Sequence, residues 1–110
     1  MLRELNRRKA VTKPQTLSVS VAIICHNYGR FLDECIDSVA GQTQTLYQVF
    51  VVDDASDDET PEICRRREMD YIRIEHRDVH KARRTAFEHA TGDVVIFLDA
   101  DDTLDRKSVV

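Results

Sequence analysis

Two apolar segments of this chain run directly into aspartates, and this feature constrains the fold more than any other. Residues 94–98 are five large apolar residues, and three of the next four positions are aspartates. Residues 49–52 are also apolar and lead straight into an Asp-Asp pair. A short unbroken apolar run is typical of a strand buried on both faces of a parallel sheet. Both groups of aspartates are therefore expected at the carboxyl edge of one sheet, where open α/β folds bind their ligands.

Strand and helix patterns alternate along the chain and predict an α/β fold. The patterns predict strands at residues 18–25, 49–52, 71–74 and 94–98, and helices at residues 31–40, from residue 60, and at 79–90. The order βαβαβαβ with short connections implies a mostly parallel sheet with helices on its faces. The third strand alternates in polarity and is expected near a sheet edge. We expect the Thr60 hydroxyl to cap the second helix, and Gly92 to end the third.

Length and charge exclude several classes of protein. With 110 residues the chain can hold one domain, and a net charge of −4 argues against a nucleic-acid binder. No apolar run is long enough to form a transmembrane segment, and no signal peptide is visible. Residues 1–16 are basic and are expected to form a flexible leader, with a phosphate- or lipid-binding arm as the alternative. Residues 17–110 are expected to form the domain.

The cysteines indicate the compartment. Cys25, Cys35 and Cys64 are odd in number and form no C-x-x-C pair. This usage is typical of a reducing compartment, in which the thiols act as small core residues. We therefore expect a cytoplasmic protein, either free or peripheral at the inner face of a membrane.

The clustered aspartates favour a metal site. Three carboxylates this close together repel one another unless a cation lies between them, and divalent metal ions prefer oxygen ligands. The alternative, that these aspartates only cap turns, accounts for one aspartate per junction and not for a cluster. Phosphate groups would need the metal, helix N-termini and basic residues, and Lys81, Arg83 and Arg84 lie on the preceding helix. A receiver-like signalling domain would need its acidic pair after the first strand, where this chain has His26 and Asn27.

Five short motifs follow one another along the chain. They are VAIICHNYGRFL at residues 21–32, SVAGQT at 38–43, VVDDASDD at 51–58, ATGD at 90–93 and FLDADD at 97–102. In this order and spacing they resemble the N-terminal half of a GT-A-fold glycosyltransferase of family 2. The resemblance implies a Rossmann-like nucleotide-binding half that binds a UDP- or GDP-sugar donor across the strand ends. It also implies Mn²⁺ or Mg²⁺ on the diphosphate of that donor.

The resemblance implies roles for the aspartates, transferred by position. Asp53 and Asp54 would contact the uracil and ribose end of the donor, with Asp54 as the residue for the base. The segment Asp99-Ala100-Asp101 matches the D-x-D motif of the family. Asp101 would therefore bind the metal directly, and Asp99 would reach the ribose or the metal.

Two further residues receive roles from the resemblance. Arg83 lies where the family often has a basic residue facing the nucleotide. His26 lies where family members usually have a tyrosine, in the wall on which the uracil stacks. Both are therefore expected to contribute to the nucleotide-sugar site.

The function that follows is a metal-dependent glycosyltransferase, inverting by resemblance, with an unknown acceptor. We expect the chain to hold only the donor-binding half, because no residue matches the general base of the family and the chain stops at Val110. The alternative is a non-catalytic nucleotide-sugar-binding fragment, or a subunit completed by another chain. A truncated domain would leave apolar surface uncovered, so self-association is also expected.

Overall fold

A computed structural model describes residues 17–42 and 45–104 of the chain and has the predicted α/β architecture. Its elements, in chain order, are β1 (Val19–Cys25), α1 (Gly29–Ala40), β2 (Gln48–Asp54), α2 (Thr60–Arg66), β3 (Asp70–Ile74), α3 (Val79–His89) and β4 (Val94–Asp99). The described strands form one parallel sheet in the order β3-β2-β1-β4. The predicted leader at residues 1–16 lies outside the described residues. Within the described ranges, every helix is too short or too polar to cross a membrane.

Helices cover both faces of the sheet, as predicted. Successive side chains of a strand point to opposite faces, so the apolar strands present buried side chains on each side. On one face, Val51 of β2 lies in a core cluster with Leu32 of α1 and Ile63 of α2. On the other face, Phe50 packs in a cluster with Ala82 of α3. The buried residues of α3 are alanines, which let this helix lie close to the strands. The two central strands are therefore enclosed between the helices.

The three cysteines are free and buried, which confirms their predicted role in the core. Cys35 of α1 and Cys64 of α2 belong to the same core cluster. Burial raises the pKa of each of these two thiols to about 12. They therefore stay protonated at neutral pH and pack as small apolar groups.

The last strand is less buried than predicted. β3 lies at one edge of the described sheet, as expected, but β4 lies at the other edge and has one described neighbour, β1. Ile96 is only partly buried, and Phe97 is 37% exposed. The prediction of a strand buried on both faces is wrong for β4, because α3 packs mainly over β1 and β2 and β4 has a described strand on one side only.

The start of α2 also differs from the prediction. Thr60 begins this helix, but its hydroxyl does not cap it and lies instead 3.5 Å from the Sγ atom of buried Cys25. The N–H of Thr60 donates to Oδ1 of Asp58 at 3.0 Å, and Oδ2 of Asp58 accepts the N–H of Gly29 at 2.8 Å. A single carboxylate therefore holds the starts of α1 and α2 together.

The end of α3 does not depend on Gly92. The helix ends at His89, three residues earlier. Gly92 is buried, and its N–H donates to Oγ of Ser20 at 2.9 Å. A Cβ atom at position 92 would lie 2.6 Å from that oxygen. The prediction of a helix-ending glycine is therefore wrong, since this glycine serves the close approach of the chain to β1.

Candidate functional site

The carboxyl edge of the sheet brings the two groups of aspartates together, with β1 between them. Ile24 of β1 pairs with Val52 on one side and with Asp99 on the other. A cavity of about 350 Å³ opens here, between the strand ends and the start of α3. Its lining consists of Ile24, Cys25, His26, Tyr28, Asp54, Arg77, Asp78, Val79, Ala82, Asp99 and Asp101. Of the predicted site residues, the lining includes His26, Asp54, Asp99 and Asp101, but not Asp53 or Arg83.

Asp54 ends β2 and accepts three backbone hydrogen bonds from the turn before α3. Its Oδ1 atom accepts the N–H groups of His76 and Arg77, and Oδ2 accepts the N–H of Asp78, all at 2.8 Å. Burial by itself would raise the pKa of Asp54, but these N–H groups outweigh it and hold the pKa below its usual value. Asp54 is therefore ionised at neutral pH, and it fixes the turn that leads into α3.

Asp53 is fully buried, with an exposed fraction of 0%, on the opposite face of the sheet from Asp54. Its Oδ2 atom accepts a hydrogen bond from the Tyr71 hydroxyl at 2.6 Å and from Nη1 of Arg73 at 3.2 Å. Its Oδ1 atom accepts the N–H of Ser56 at 3.1 Å. The direct nucleotide contact predicted for Asp53 does not agree with this placement, because both oxygens are engaged and neither reaches the cavity.

Asp99, Asp101 and Asp102 form an acidic cluster in which carboxylate oxygens lie within 4.8 Å of one another. The chain turns sharply after β4, and the N–H of Asp102 donates to the backbone oxygen of Asp99 at 2.9 Å. Two oxygens on opposite sides of one divalent cation lie about 4–5 Å apart. Asp101 and Asp102 are exposed and Asp99 is partly exposed. The donor set therefore fits the predicted divalent metal in size and chemistry.

Basic side chains near the cavity come from α3 and from the turn before it. Nη2 of Arg83 lies 3.9 Å from Oδ1 of Asp99, so α3 does bring a basic group to the acidic cluster. The Nε atom of Arg83 is shielded from solvent and has no hydrogen-bond partner among the described residues. Arg77, at a backbone φ of 51°, lines the cavity. Sequence reasoning missed Arg77 because it precedes the helical pattern, which starts at Val79.

Aspartates of this chain already accept some of the N–H groups at the helix N-termini that were expected to help hold phosphate. Oδ1 of Asp78 accepts the N–H groups of His80 and Lys81 at 2.9 and 3.3 Å, which caps α3. At α1, the first N–H group, that of Gly29, donates to Asp58. These N–H groups are not free for a phosphate, so basic side chains and a cation would have to meet more of its charge.

His26 and Tyr28 form one wall of the cavity. Nδ1 of His26 faces the backbone oxygen of Asp54, so this nitrogen is the donor in their hydrogen bond. Tyr28 is 37% exposed and meets Phe31 edge-on, with ring centroids 5.8 Å apart. Tyr28 was not predicted as a site residue because a turn has no periodicity. Its place in the turn after the first strand, where ligands bind in such folds, could have identified it.

The chain is similar in sequence to proteins of known activity class. The sequence model of the family described as Glycosyl transferase family 2 matches residues 20–109. The glycosyltransferase GlyA of Streptococcus pneumoniae serotype 4 is 33% identical over 96 residues, which cover 83% of this chain and 14% of GlyA. The glycosyltransferase AglE of Haloferax volcanii is 35% identical over 91 residues, which cover 76% of this chain and 30% of AglE. The chain thus spans less than a third of either relative.

The fold is similar to solved structures of glycosyltransferases. TarS of S. aureus (residues 1–349), in complex with UDP, superposes with a TM-score of 0.70 at 27% identity, over 84% of this chain and 30% of TarS 1–349. The mannosyltransferase PcManGT of Pyrobaculum calidifontis, in complex with GDP-Man and Mn²⁺, superposes with a TM-score of 0.66 at 29% identity, over 86% of this chain and 32% of PcManGT. These similarities confirm the predicted GT-A fold for the described sheet and helices.

Proposed function

The chain belongs to glycosyl transferase family 2, and from this premise we propose that it forms the donor-binding part of a metal-dependent glycosyltransferase. The donor would be a UDP- or GDP-sugar, and transfer would proceed with inversion to an acceptor of unknown identity. The observation that carries the proposal is the meeting of the Asp99, Asp101 and Asp102 carboxylates, because Asp99 and Asp101 line the same cavity as Asp54.

The nucleoside end of the donor is assigned to the wall formed by His26, Tyr28 and Asp54. An ionised carboxylate has about four positions at which it can accept hydrogen bonds. Three of those of Asp54 are used by backbone N–H groups, which leaves one for an N–H of the base or a hydroxyl of the ribose. A single free acceptor supports Asp54 as the residue for the base.

The diphosphate end is assigned to the acidic cluster and the arginines beside it. Asp101 and Asp99 would hold Mn²⁺ or Mg²⁺, with Asp102 within reach of the same ion. When bound, this ion would neutralise charge on the departing diphosphate. Arg83, whose Nη2 atom lies 3.9 Å from Asp99, would face the nucleotide from α3.

Binding is the direct test of this function. In calorimetry on the full chain, we expect UDP or GDP to bind in the presence of Mn²⁺ or Mg²⁺ and to lose about tenfold or more in affinity with EDTA. Asp101→Ala should weaken binding by a similar factor. The matched control is Asp37→Ala, which removes the same charge from an exposed residue outside the cavity lining. Equal affinity with and without metal, or no binding at all, would contradict the proposal.

Turnover separates the enzyme from the alternative of a non-catalytic binding subunit. An inverting transfer needs a base within hydrogen-bond reach of the attacking hydroxyl, and we assign none among residues 17–42 and 45–104. We therefore expect the 110-residue chain alone to bind donors but to transfer sugar very slowly. Product formed from a panel of donors and acceptors would show that the chain supplies its own base.

A further inference from the structure

We propose that Asp53 is a positioning residue, and that Asp53, Tyr71 and Arg73 hold the wall of the donor cavity in place without touching the nucleotide. The inference rests on the proposed function, since it concerns the affinity of the cavity for a nucleoside diphosphate. It assigns a role in binding to two residues of the edge strand β3 that lie outside the cavity lining.

A chain of hydrogen bonds, called the relay below, connects Asp53 to the cavity wall. It begins at the buried carboxylate of Asp53. Its Oδ2 atom is held from β3 by the Tyr71 hydroxyl at 2.6 Å and by Nη1 of Arg73 at 3.2 Å. Burial, followed by the hydrogen bond to Asp53, raises the pKa of Tyr71 to about 12, so its hydroxyl remains a donor at neutral pH. A fully buried charge depends on such donors, because it has lost its water.

Ser56 carries the relay to the next turn. Its N–H donates to Oδ1 of Asp53 at 3.1 Å, and its backbone oxygen accepts from Nη1 of Arg73 at 2.9 Å. Its hydroxyl oxygen in turn accepts the N–H of Asn27 at 2.9 Å. The side-chain Oδ1 atom of Asn27 accepts the N–H of Asp57 at 2.7 Å. The turns after β1 and β2 are therefore fastened to each other through Ser56.

Asn27 connects the relay to the cavity, because it lies in sequence between the lining residues His26 and Tyr28. Asn27 has a backbone φ of 55° and Ala55 one of 59°. Residues other than glycine adopt this left-handed conformation at a cost, so surrounding contacts have to hold it. The hydrogen bonds of Ser56 and Asp53 act at these two turns. Loss of a donor on β3 should therefore loosen the wall on which the nucleoside lies.

The test uses three variants of the full chain. Tyr71→Phe removes one hydroxyl and keeps the ring, and Arg73→Met removes the guanidinium. The matched control is Arg67→Met, because Arg67 pairs with Asp33 at 2.9 Å and with Asp37 at 2.6 Å, and neither aspartate belongs to the relay. We expect Tyr71→Phe and Arg73→Met each to weaken UDP binding in Mn²⁺ by about tenfold, measured by calorimetry well below the unfolding temperature. The control should lose thermal stability but keep its affinity within about twofold.

A second readout reports on the turn itself. Amide hydrogen exchange of Asn27, followed by NMR, should accelerate in Tyr71→Phe and stay unchanged in the Arg67→Met control. Wild-type affinity together with unchanged exchange in Tyr71→Phe would overturn the inference while leaving the proposed function intact. If the unaltered chain binds no nucleotide, the proposed function fails. The exchange rate of the Asn27 amide in Tyr71→Phe then tests the relay independently. Faster exchange supports the relay, and unchanged exchange refutes it.

Discussion

Replacing Asp54 by asparagine should destabilise the fold by several kcal/mol, although the two side chains have nearly the same shape. The carboxylate accepts three backbone N–H groups at 2.8 Å, two on Oδ1 and one on Oδ2. Asparagine can keep the two bonds of Oδ1, but its NH₂ group would face the N–H of Asp78, donor against donor.

The magnitude follows from the three bonds. A hydrogen bond to a charged group contributes about 1.5–3 kcal/mol, and one between neutral groups about 1 kcal/mol. Losing the bond to Asp78 and weakening the other two gives a total loss of about 3–5 kcal/mol. Domains of this size have about 5–15 kcal/mol of stability, so the midpoint of thermal unfolding should fall by about 10–20 °C.

Chemical denaturation of Asp54→Asn at pH 7, followed by circular dichroism, measures this loss. Asp57→Asn is the matched control, because Asp57 is exposed, and its stability should change by less than about 0.5 kcal/mol. The folded pKa of Asp54 is lowered from 3.8, so the stabilisation is fully present above that pH and disappears as the pH falls through the folded pKa. The difference between the unaltered chain and Asp54→Asn should therefore shrink in strong acid. A loss below about 1 kcal/mol at pH 7, or a difference that stays constant into strong acid, would refute this reasoning.

Two further outcomes are expected from the described contacts. Gly92→Ala should cost about 1–3 kcal/mol in denaturant unfolding, because its Cβ would lie 2.6 Å from Oγ of Ser20. Gly41→Ala, whose Cβ would lie 3.4 Å from its nearest neighbour, is the control and should be close to neutral; equal effects of both changes would contradict this explanation. The buried thiols of Cys35 and Cys64, whose pKa values are about 12, should resist a thiolate-selective reagent at pH 8 and react once the chain is unfolded. Rapid modification of either thiol in the native chain would show that these residues are not held in the core.

Apolar patterning was sufficient to predict the order of strands and helices, because α1 and α3 each bury one face and the central strands are nearly continuous buried runs. The spacing of Leu32, Cys35 and Val39 matches the buried face of α1. The alternation at residues 71–74 matches the partly exposed strand β3. The burial of β4 could not be predicted in the same way, because it depends on which helices lie over the strand and on how many neighbours it has, and a local pattern carries neither.

The location of the candidate site at the carboxyl edge of the sheet could be predicted from the sequence, but the contacts of its residues could not. The aspartates at residues 99–102 do meet, because they follow one another through a tight turn. Asp53 and Asp54 were both predicted to contact the nucleoside end of the donor, yet adjacent strand residues point to opposite faces. This rule alone could have separated the two residues. The partners of Asp54 could not be anticipated, since they are backbone N–H groups of a turn that is more than twenty residues away in sequence.

The charge balance of the cavity lining has a consequence for how its ligands would bind. Four of the eleven lining residues are aspartates and one is arginine, and a nucleoside diphosphate would add further negative charge. A nucleotide without a cation should be repelled, and a cation without a nucleotide should be held loosely, because Asp101 and Asp102 are exposed to water. The two ligands would thus bind with positive cooperativity, and each would raise the affinity for the other by the same factor. The supply of free divalent cation would then govern occupancy as strongly as the concentration of the sugar donor.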